Sequence, residues 1–411
     1  MNPENSQVVI DLLIHPKWII PIEPTGITFS DYALAINDGY IVDLLPYETA
    51  LKRYLPHEEL DLPGHVLLPG LVNLHTHAAL SLLRGCADDL PLNNSTLSRQ
   101  TWPAEARHLS AEFVRTGTLL ACAEMLRGGI TTFNDMCFFP TAAVDAVHQS
   151  GMRAALGLVV LEQPTNYAAD ADDYLSKGLA LRDTCKDHPL LSFCLAPQAP
   201  GTVTDKTLEK IATLSAQLEI PIHTHLHETR HEIAEGIKQY GVRPIQRLHT
   251  LGLLGPQFIA VHAVYLEAAE IDQLSLTGCH IAFCPTSNLK LGSGIPNIND
   301  THQRGINFGL GTESAASNNR LDIFQEMRLS SLLTKGISED PTAFTAHQAL
   351  QAATLNGARA LGLDQRIGSL LPGKAADLCA VCLDDWMLQP CFDPASHLVY
   401  TTRRDDVTHT W

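Results

Sequence analysis

The chain has 411 residues, of which 45% are hydrophobic, and its 28 Lys+Arg against 45 Asp+Glu give a formal net charge of −17. This length is too great for one small core and suits an α/β barrel with an appendage. The acidic excess repels phosphate backbones and anionic membranes, which argues against nucleic acid and membranes as partners and favours a small neutral or cationic ligand.

The N-terminus and the cysteines predict a cytoplasmic protein. The first residues lack the basic-then-apolar pattern of a secretory signal, and no apolar stretch is long enough to span a bilayer. The ten cysteines are scattered singly through apolar segments, as is typical of reduced core residues. The one close pair, Cys379 and Cys382, lies in a predicted strand, where residues three apart face opposite sides. We therefore expect no redox or metal site at this pair.

Both ends of the chain predict β-structure. A turn at Asn37–Tyr40 and the runs around it suggest a small antiparallel unit in the first 65 residues, and the tail becomes β-like again from Ala376. The N-terminal runs are Ile27–Phe29, Tyr32–Ile36 and Tyr40–Leu45. We therefore expect one small β-sandwich-like domain, formed by residues 1–65 and 366–411, beside a main domain of residues 66–365.

In the main domain short β-like runs alternate with longer helical ones, a pattern that predicts parallel strands with crossover helices. Eight such units fit an α/β fold of the (β/α)₈ TIM-barrel type, whose active site lies at the C-terminal ends of the strands. The predicted strands are Leu71–His77, Ile130–Met136, Arg153–Val160, Leu191–Gln198, Ile220–His225, Phe258–His262, His280–Pro285 and Ile306–Glu313. Helices are predicted over Ser110–Arg127, Asp205–Gln217 and Arg320–Thr334.

The first barrel strand ends in a His-x-His motif, His75-Thr76-His77. Side chains two apart in a strand share a face, so both imidazoles aim at one point, as two ligands of one metal ion must. A lone His-x-His arises easily by chance. The motif indicates a metal site because later predicted strands also end in histidine or carboxylate residues.

The fifth predicted strand and the residues after it carry three histidines and a glutamate. His225 is the predicted third metal ligand. His223 is expected on the same inward face one layer deeper, and His227 past the end of the strand. Glu228, just beyond the strand, is predicted to act on the substrate.

Two more predicted strands end in side chains that can bind a metal or transfer a proton: His262 ends the sixth strand and Glu313 ends the eighth. Taken alone, His262 is typical of a hydrogen-bonded core histidine and Glu313 of a solvated loop acid. Together with the other histidines they favour one divalent first-row ion, zinc first and Fe²⁺ as the alternative. Such an ion lowers the pKa of bound water toward neutrality. A carboxylate on the ion can accept the proton of that water, and Glu228 can carry protons to the substrate.

Eleven segments spread over nearly the whole chain form a recognisable pattern. They are Leu68–Ala78, Leu82–Gly85, Ala87–Leu92, Trp102–Glu105, Ala123–Gly129, Phe133–Met136, His225–Thr229, Cys284–Leu291, Ala315–Asn319, Ala353–Gly362 and Gly368–Asp377. With these segments the chain resembles the methylthioadenosine/S-adenosylhomocysteine deaminases of the amidohydrolase superfamily, the group called TRZ/ATZ hydrolases.

This resemblance implies that His75, His77 and His225 are metal ligands. It makes Glu228 the proton carrier, while His262 orients or deprotonates the attacking water. The implied reaction is hydrolytic deamination at C6 of the adenine ring of methylthioadenosine, S-adenosylhomocysteine or an adenosine-like nucleoside, with release of ammonia from a tetrahedral intermediate. The superfamily also implies a homodimer or a higher homo-oligomer.

The substrate contacts implied by the resemblance are Gln198, Trp102 and Asn288. Gln198 stands where relatives carry a histidine, and a neutral amide forms hydrogen bonds but does not titrate. Relatives carry an aspartate as their last metal ligand where this chain has Glu313, so the resemblance makes Glu313 the fourth metal ligand and a catalytic residue. Its extra methylene moves the oxygen by on the order of 1 Å. By the resemblance Phe283 likewise replaces a histidine on the seventh strand, and we expect this change to alter the pocket.

Two segments also depart from the pattern of the relatives. Residues 93–100 lack the apolar, Trp-containing pattern expected over a nucleoside pocket, and relatives continue past Val407–Trp411 with another strand. These departures leave two further interpretations open. One is a related amidohydrolase acting on another aminated or halogenated N-heterocycle, and the other is a catalytically impaired barrel kept for binding or assembly.

Overall fold

The computed structural model describes residues 7–86, 88–89 and 107–411. Its strands are Val8–Ile19 (β1), Phe29–Ser30 (β2), Tyr32–Asn37 (β3), Tyr40–Pro46 (β4), Tyr54–Pro69 (β5), Leu71–Thr76 (β6), Ile130–Cys137 (β7), Arg153–Val160 (β8), Leu191–Pro197 (β9), Ile222–Leu226 (β10), Phe258–His262 (β11), His280–Phe283 (β12), Asn307–Leu310 (β13), Leu378–Cys382 (β14) and Val407–Thr410 (β15).

Its α-helices are Tyr47–Arg53 (α1), Ala111–Arg127 (α2), Pro140–Ser150 (α3), Ala171–Cys185 (α4), Asp205–Leu218 (α5), Arg230–Tyr240 (α6), Pro244–Thr250 (α7), Ala268–Thr277 (α8), Pro285–Lys290 (α9), Ile298–Gln303 (α10), Ala315–Asn318 (α11), Ile323–Ser338 (α12), Ala346–Ala352 (α13), Leu355–Ala360 (α14) and Pro394–Tyr400 (α15). Short 3₁₀ turns cover Ala78–Leu83, Pro200–Thr202, Trp386–Leu388 and Arg404–Asp406.

Strands β6 to β13 form one parallel sheet of eight strands, in which each strand pairs with the next along the chain. This confirms the predicted (β/α)₈ barrel. The bounds of β8 and β11 are those predicted, because their residues are buried throughout and all are apolar except Arg153 at the start of β8 and His262 at the end of β11. Strands of a barrel are covered by helices outside and by side chains inside, so they read as continuous hydrophobic runs.

The three predicted helices are confirmed as α2, α5 and α12. Each begins directly after a side chain that accepts a hydrogen bond from a backbone N–H of the first turn, and these caps are Ser110, Thr204 and Asp322. The cap satisfies a donor that the helix itself leaves unpaired. In the part of the chain that the structure describes, no helix combines the length and the apolarity needed to cross a membrane.

The barrel closes between its last and first strands through Gly311, Thr312 and Glu313. The backbone N–H groups of Thr312 and Glu313 both donate to the carbonyl oxygen of His75 at 3.0 Å. The Asn73 side chain accepts from the N–H of Thr312 at 3.0 Å and donates to its hydroxyl at 2.8 Å. A Cβ on Gly311 would stand 2.8 Å from the Cβ and the backbone nitrogen of His75, so this approach requires glycine. Closure therefore brings His75 and Glu313 together.

The small domain is one seven-stranded sheet in the order β15-β14-β5-β1-β3-β4, with β2 on β1. Both chain ends contribute, as predicted. The predicted turn is confirmed between β3 and β4, where Asp38 and Gly39 have φ values of 50° and 76°. The predicted antiparallel pairing is confirmed for β3 and β4, whereas β1 and β5, for which no strand was predicted, pair in parallel. Parallel neighbours need a crossover connection, which runs through β3, β4 and α1.

A partly buried ion pair joins the small domain to the barrel. Arg153, the first residue of β8, donates to both carboxylate oxygens of Asp377 at 2.9 and 3.1 Å. The backbone N–H of Gly70, which separates β5 from β6, donates to the carbonyl of Asp377 at 2.8 Å. A bidentate pair fixes orientation as well as distance. Both contacts lie at the N-terminal ends of barrel strands, away from the ends that carry the predicted site.

The closure at Gly311 can be tested by Gly311→Ala. The added Cβ meets backbone atoms that cannot yield, so we expect a loss of about 1–3 kcal/mol in unfolding free energy, measured as a lower urea midpoint. Gly336→Ala is the matched control, because this exposed glycine of α12 has no atom within 4 Å of an added Cβ. We expect the control to be neutral or stabilised by about 0.5–1 kcal/mol. Equal midpoints for the two variants would contradict the closure argument.

Candidate metal centre

Three imidazoles meet at the C-terminal ends of β6 and β10. The Nε2 atom of His225 lies 3.3 Å from that of His75 and 3.4 Å from that of His77. Oε1 of Glu313 lies 3.1 Å from Nε2 of His77, 3.5 Å from that of His75 and 3.9 Å from that of His225. These four ligand atoms all lie within 4.8 Å of one another. The structure thus brings together all four predicted metal ligands.

The ring nitrogens that face away from the centre are held by the protein. Nδ1 of His77 donates to the carbonyl of Met136 at 2.7 Å, and Nδ1 of His225 donates to the carbonyl of Gln198 at 2.8 Å. A carbonyl oxygen can only accept, so each Nδ1 carries the proton and each Nε2 keeps its lone pair. These are the hydrogen bonds that orient metal-binding histidines.

This donor set fits a divalent ion. Ligand atoms around a tetrahedral ion with bonds of about 2.0–2.1 Å are about 3.3 Å apart, which matches the Nε2 separations of 3.3 and 3.4 Å. Burial lowers the pKa of His75 far below its ordinary value and that of His225 to about 4. Both rings are therefore neutral at physiological pH, as metal ligands must be.

Glu313 was predicted to end the eighth strand, and this is wrong, because β13 ends three residues earlier. The residue lies in a turn with φ 59°, where its Oε2 accepts from the backbone N–H of Ser314 and the hydroxyl of Ser317. Burial alone would raise the pKa of Glu313, but His77 and His75 hold it well below its usual range. The carboxylate is thus ionised, and its Oε1 faces the three imidazoles.

Glu228 and His262 face each other beside this group. Nε2 of His262 lies 3.9 Å from Oε2 of Glu228, whose Oε1 accepts from the hydroxyl of Ser293 at 3.1 Å. Nδ1 of His262 donates to the amide oxygen of Asn288 at 2.8 Å, which leaves a lone pair on Nε2. Burial raises the pKa of Glu228 and lowers that of His262 to about 4. Asn288 is fully buried and orients His262, while its predicted contact with substrate stays a prediction.

Glu232 belongs to the site although the sequence patterns above do not include it. Its two carboxylate oxygens accept from the backbone N–H groups of His227 and Glu228 at 3.0 and 2.8 Å. His227 has φ 52°, so these bonds hold the strained turn from which Glu228 projects. Burial raises the pKa of Glu232 to about 7. The spacing Thr229-x-x-Glu232 is the sequence signature of a helix N-terminus and would have pointed to this residue.

Glu228, Glu313 and two of the histidines line a cavity of about 480 Å³. This volume is typical of sites for small organic molecules. Apolar walls come from Leu80 and Met136, and Gln198 and Gly201 line the side formed by the loop after β9. Gln198 therefore lies at the cavity, as its prediction as a substrate contact requires.

Phe283 does not lie at the cavity, which corrects the expectation that it alters the pocket. Its ring is fully buried and packs against Phe308 with ring centroids 5.2 Å apart, whereas the adjoining Ala282 and Cys284 belong to a separate cluster inside the barrel. Neighbouring residues of a strand face opposite sides, so Phe283 faces the helices. Trp102 and the altered loop 93–100 lie outside the described residues.

A sequence profile of the Amidohydrolase family matches residues 66–411. The 5-methylthioadenosine/S-adenosylhomocysteine deaminase of Teredinibacter turnerae is 45% identical over 406 residues, which are 99% of this chain and 92% of that protein. The 5'-deoxyadenosine deaminase of Methanothermobacter thermautotrophicus is 40% identical over 350 residues, 85% of this chain and 81% of that protein. An adenosine deaminase from Xanthomonas campestris, solved with bound zinc, is similar with a TM-score of 0.97 at 43% identity, covering 99% of this chain and 92% of that one. The chain therefore belongs to the amidohydrolase family.

Proposed function

We propose that this protein is a zinc-dependent hydrolytic deaminase of the adenine ring in methylthioadenosine, S-adenosylhomocysteine, 5'-deoxyadenosine or similar nucleosides. One observation carries the proposal: three imidazole Nε2 atoms and Glu313 converge beside Glu228 on the wall of a cavity of nucleoside size. The similarity to proteins named as deaminases of these nucleosides supports the substrate class.

His75, His77, His225 and Glu313 would hold the ion. When bound there, a divalent ion supplies Lewis acidity and lowers the pKa of a coordinated water toward neutrality. Glu228 accepts a proton from the attacking water and delivers it to a nitrogen of the adenine ring. Burial keeps its proton affinity above that of an ordinary glutamate, which suits a group that must both take and give a proton.

His262 acts as a neutral imidazole. Its Nδ1 is bonded to Asn288, so its Nε2 lone pair accepts a hydrogen bond from the water and directs the oxygen toward the ring carbon. Gln198 contributes a neutral amide to the cavity wall, where it can bond the ring or the departing amine without changing charge. The proton of the hydroxyl added to the ring carbon then passes through Glu228 to the amine, so that the carbonyl of the product forms as ammonia leaves.

The deciding experiment incubates the purified protein with methylthioadenosine, S-adenosylhomocysteine and 5'-deoxyadenosine and follows ammonia release and the fall in adenine absorbance. Elemental mass spectrometry of the same sample is expected to find about one zinc per chain, with iron in place of zinc as the other outcome for the metal. Full loading without nucleoside turnover would overturn the proposal. Aminopurines, pterins and triazines are assayed in parallel, because turnover of one of these alone would identify another N-heterocycle as the substrate.

Glu228→Gln keeps the shape of the side chain but removes the proton carrier. We expect kcat to fall by about 10²–10⁴-fold, the usual contribution of a general acid–base group, with unchanged metal content. Glu235→Gln is the matched control, because Glu235 lines the same cavity but pairs with Lys238 at its exposed rim. The control should retain its activity within a few-fold. Full activity in Glu228→Gln would remove this residue from the mechanism.

The pH profile follows from the same carboxylate. Glu228 must be ionised to accept a proton, and burial raises its pKa, so activity is present above that pKa and is lost as the pH falls through it. We expect the acid limb of kcat/KM above the ordinary glutamate value of about 4.3. His262, with a pKa of about 4, stays neutral over this range and does not set the limb. Metal content is measured at each pH, and a limb below 4.3 with full metal loading would contradict this assignment.

Glu313→Asp tests whether the longer acid is matched to its loop. Shortening withdraws the carboxylate by on the order of 1 Å, and we expect kcat/KM to fall about a hundredfold with weaker zinc retention. Glu23→Asp is the control, because Glu23 also accepts from a serine hydroxyl, that of Ser369, and from Lys374, but does not line the cavity. A gain of activity in Glu313→Asp would instead favour the catalytically impaired homologue. The cytoplasmic location and the homo-oligomer stay predictions.

A further inference from the structure

The metal centre has a fourth histidine below it. His223 lies on β10, two residues before His225 and on the same inward face, and it is fully buried. Its Nε2 is 2.9 Å from Nδ1 of His75, and the two rings meet edge to face with centroids 4.9 Å apart. Among the three metal-binding histidines, His77 and His225 thus bond main-chain carbonyls through Nδ1, whereas His75 bonds another imidazole.

The hydrogen bond between Nδ1 of His75 and Nε2 of His223 contains one proton, which either nitrogen can carry. Which nitrogen carries it decides whether His75 can bind an ion. If the proton belongs to His223, a neutral His75 must carry its own proton on Nε2, where it points at the Nε2 of His225 3.3 Å away and at Glu313. That proton would block the lone pair that an ion needs. If the proton belongs to His75, its Nε2 lone pair is free.

The second arrangement leaves a proton on Nδ1 of His223. This Nδ1 is buried and has no hydrogen-bond partner among the described residues. A leucine or phenylalanine would fill the same space without burying an unpaired polar atom. The bond to His75 is therefore what a histidine provides here that an apolar residue does not.

We propose that His223 is a positioning residue of the metal centre, which accepts a hydrogen bond from Nδ1 of His75 and so keeps the Nε2 lone pair of His75 directed at the ion. The inference rests on the proposed metal site but not on the identity of the substrate. Residues that hold a metal-binding histidine in this way contribute measurably to affinity.

The test is zinc affinity, measured by competition with a chromophoric chelator on metal-free full-length protein. We expect His223→Leu to bind zinc about 10–100-fold more weakly than the unmodified protein. His223→Gln should recover most of the loss, because its amide oxygen reaches about as far as Nε2 and accepts from His75. His280→Leu is the matched control. His223 on β10 and His280 on β12 both pair with Ile259 on the strand between them, but the ring of His280 bonds Pro256 and Asn307. Its zinc affinity should not change.

A second measurement needs no apolar variant to fold. In zinc-loaded protein with ¹⁵N-labelled histidine, long-range ¹H–¹⁵N correlations report the tautomer of each ring, and His223→Gln assigns the His223 signals by their loss. We expect His223 to carry its proton on Nδ1 and His75 to carry its proton on Nδ1 as well. A proton on Nε2 of His223, or unchanged zinc affinity in His223→Leu, would overturn the proposal.

The two proposals fail separately. If the zinc-loaded protein deaminates no nucleoside while His223→Leu still loses zinc, the proposed reaction is wrong and the positioning role stands. If the protein deaminates nucleosides and His223→Leu holds zinc normally, the positioning role alone is wrong. Failure of the unmodified protein to bind any divalent ion would overturn both.

Discussion

Three lone pairs aimed at one point repel each other, and the arrangement of the whole site follows from that constraint. The Nε2 atoms of His75, His77 and His225 approach to 3.3–3.4 Å, and carbonyl acceptors hold the protons of two of these rings on the far side. A positive charge at the centre turns this repulsion into attraction. Because the rings are fixed before an ion arrives, little side-chain freedom is lost when it binds.

The strand ends, rather than the strands themselves, carry the strain that this arrangement requires. His227, His262 and Glu313 all have φ between 52° and 70°, a region that side chains other than glycine enter at a cost of about 1–2 kcal/mol each. A hydrogen bond compensates for the strain at each of these residues. Glu232 accepts from the backbone N–H of His227, Asn288 accepts from the ring of His262, and Ser317 donates to the carboxylate of Glu313. Strained residues that are held in this way collect at functional sites, where orientation matters more than stability.

The sequence predicts the parts of the fold that depend on local periodicity. Apolar runs locate β8 and β11, and the two-residue period of a strand predicts that His75 and His77 converge. A local sequence pattern does not predict which distant segments pair with each other. The parallel pairing of β1 with β5 was therefore missed, since Pro56 and Pro63 in β5 also interrupt the usual strand signal.

The direction in which a side chain points is equally hard to predict at the end of a strand. The resemblance led us to expect that Phe283 reaches the pocket. Its ring instead packs on Phe308, because one step along the strand reverses the face. Glu232 is the converse case, since the spacing Thr229-x-x-Glu232 indicates a glutamate that reaches back over a helix start, but not that the turn it holds carries Glu228.

The length of an acidic metal ligand has meaning only together with the loop that carries it. Two N–H bonds to the carbonyl of His75 and the close approach at Gly311 fix the backbone of Glu313. From that backbone the longer side chain brings Oε1 to 3.1 Å from Nε2 of His77, while Oε2 stays bonded to Ser317. An aspartate on the same backbone would be one methylene short of both contacts. The geometry thus describes a glutamate fitted to its turn rather than an aspartate site in decay, and it favours a working metal centre over a barrel kept only for binding.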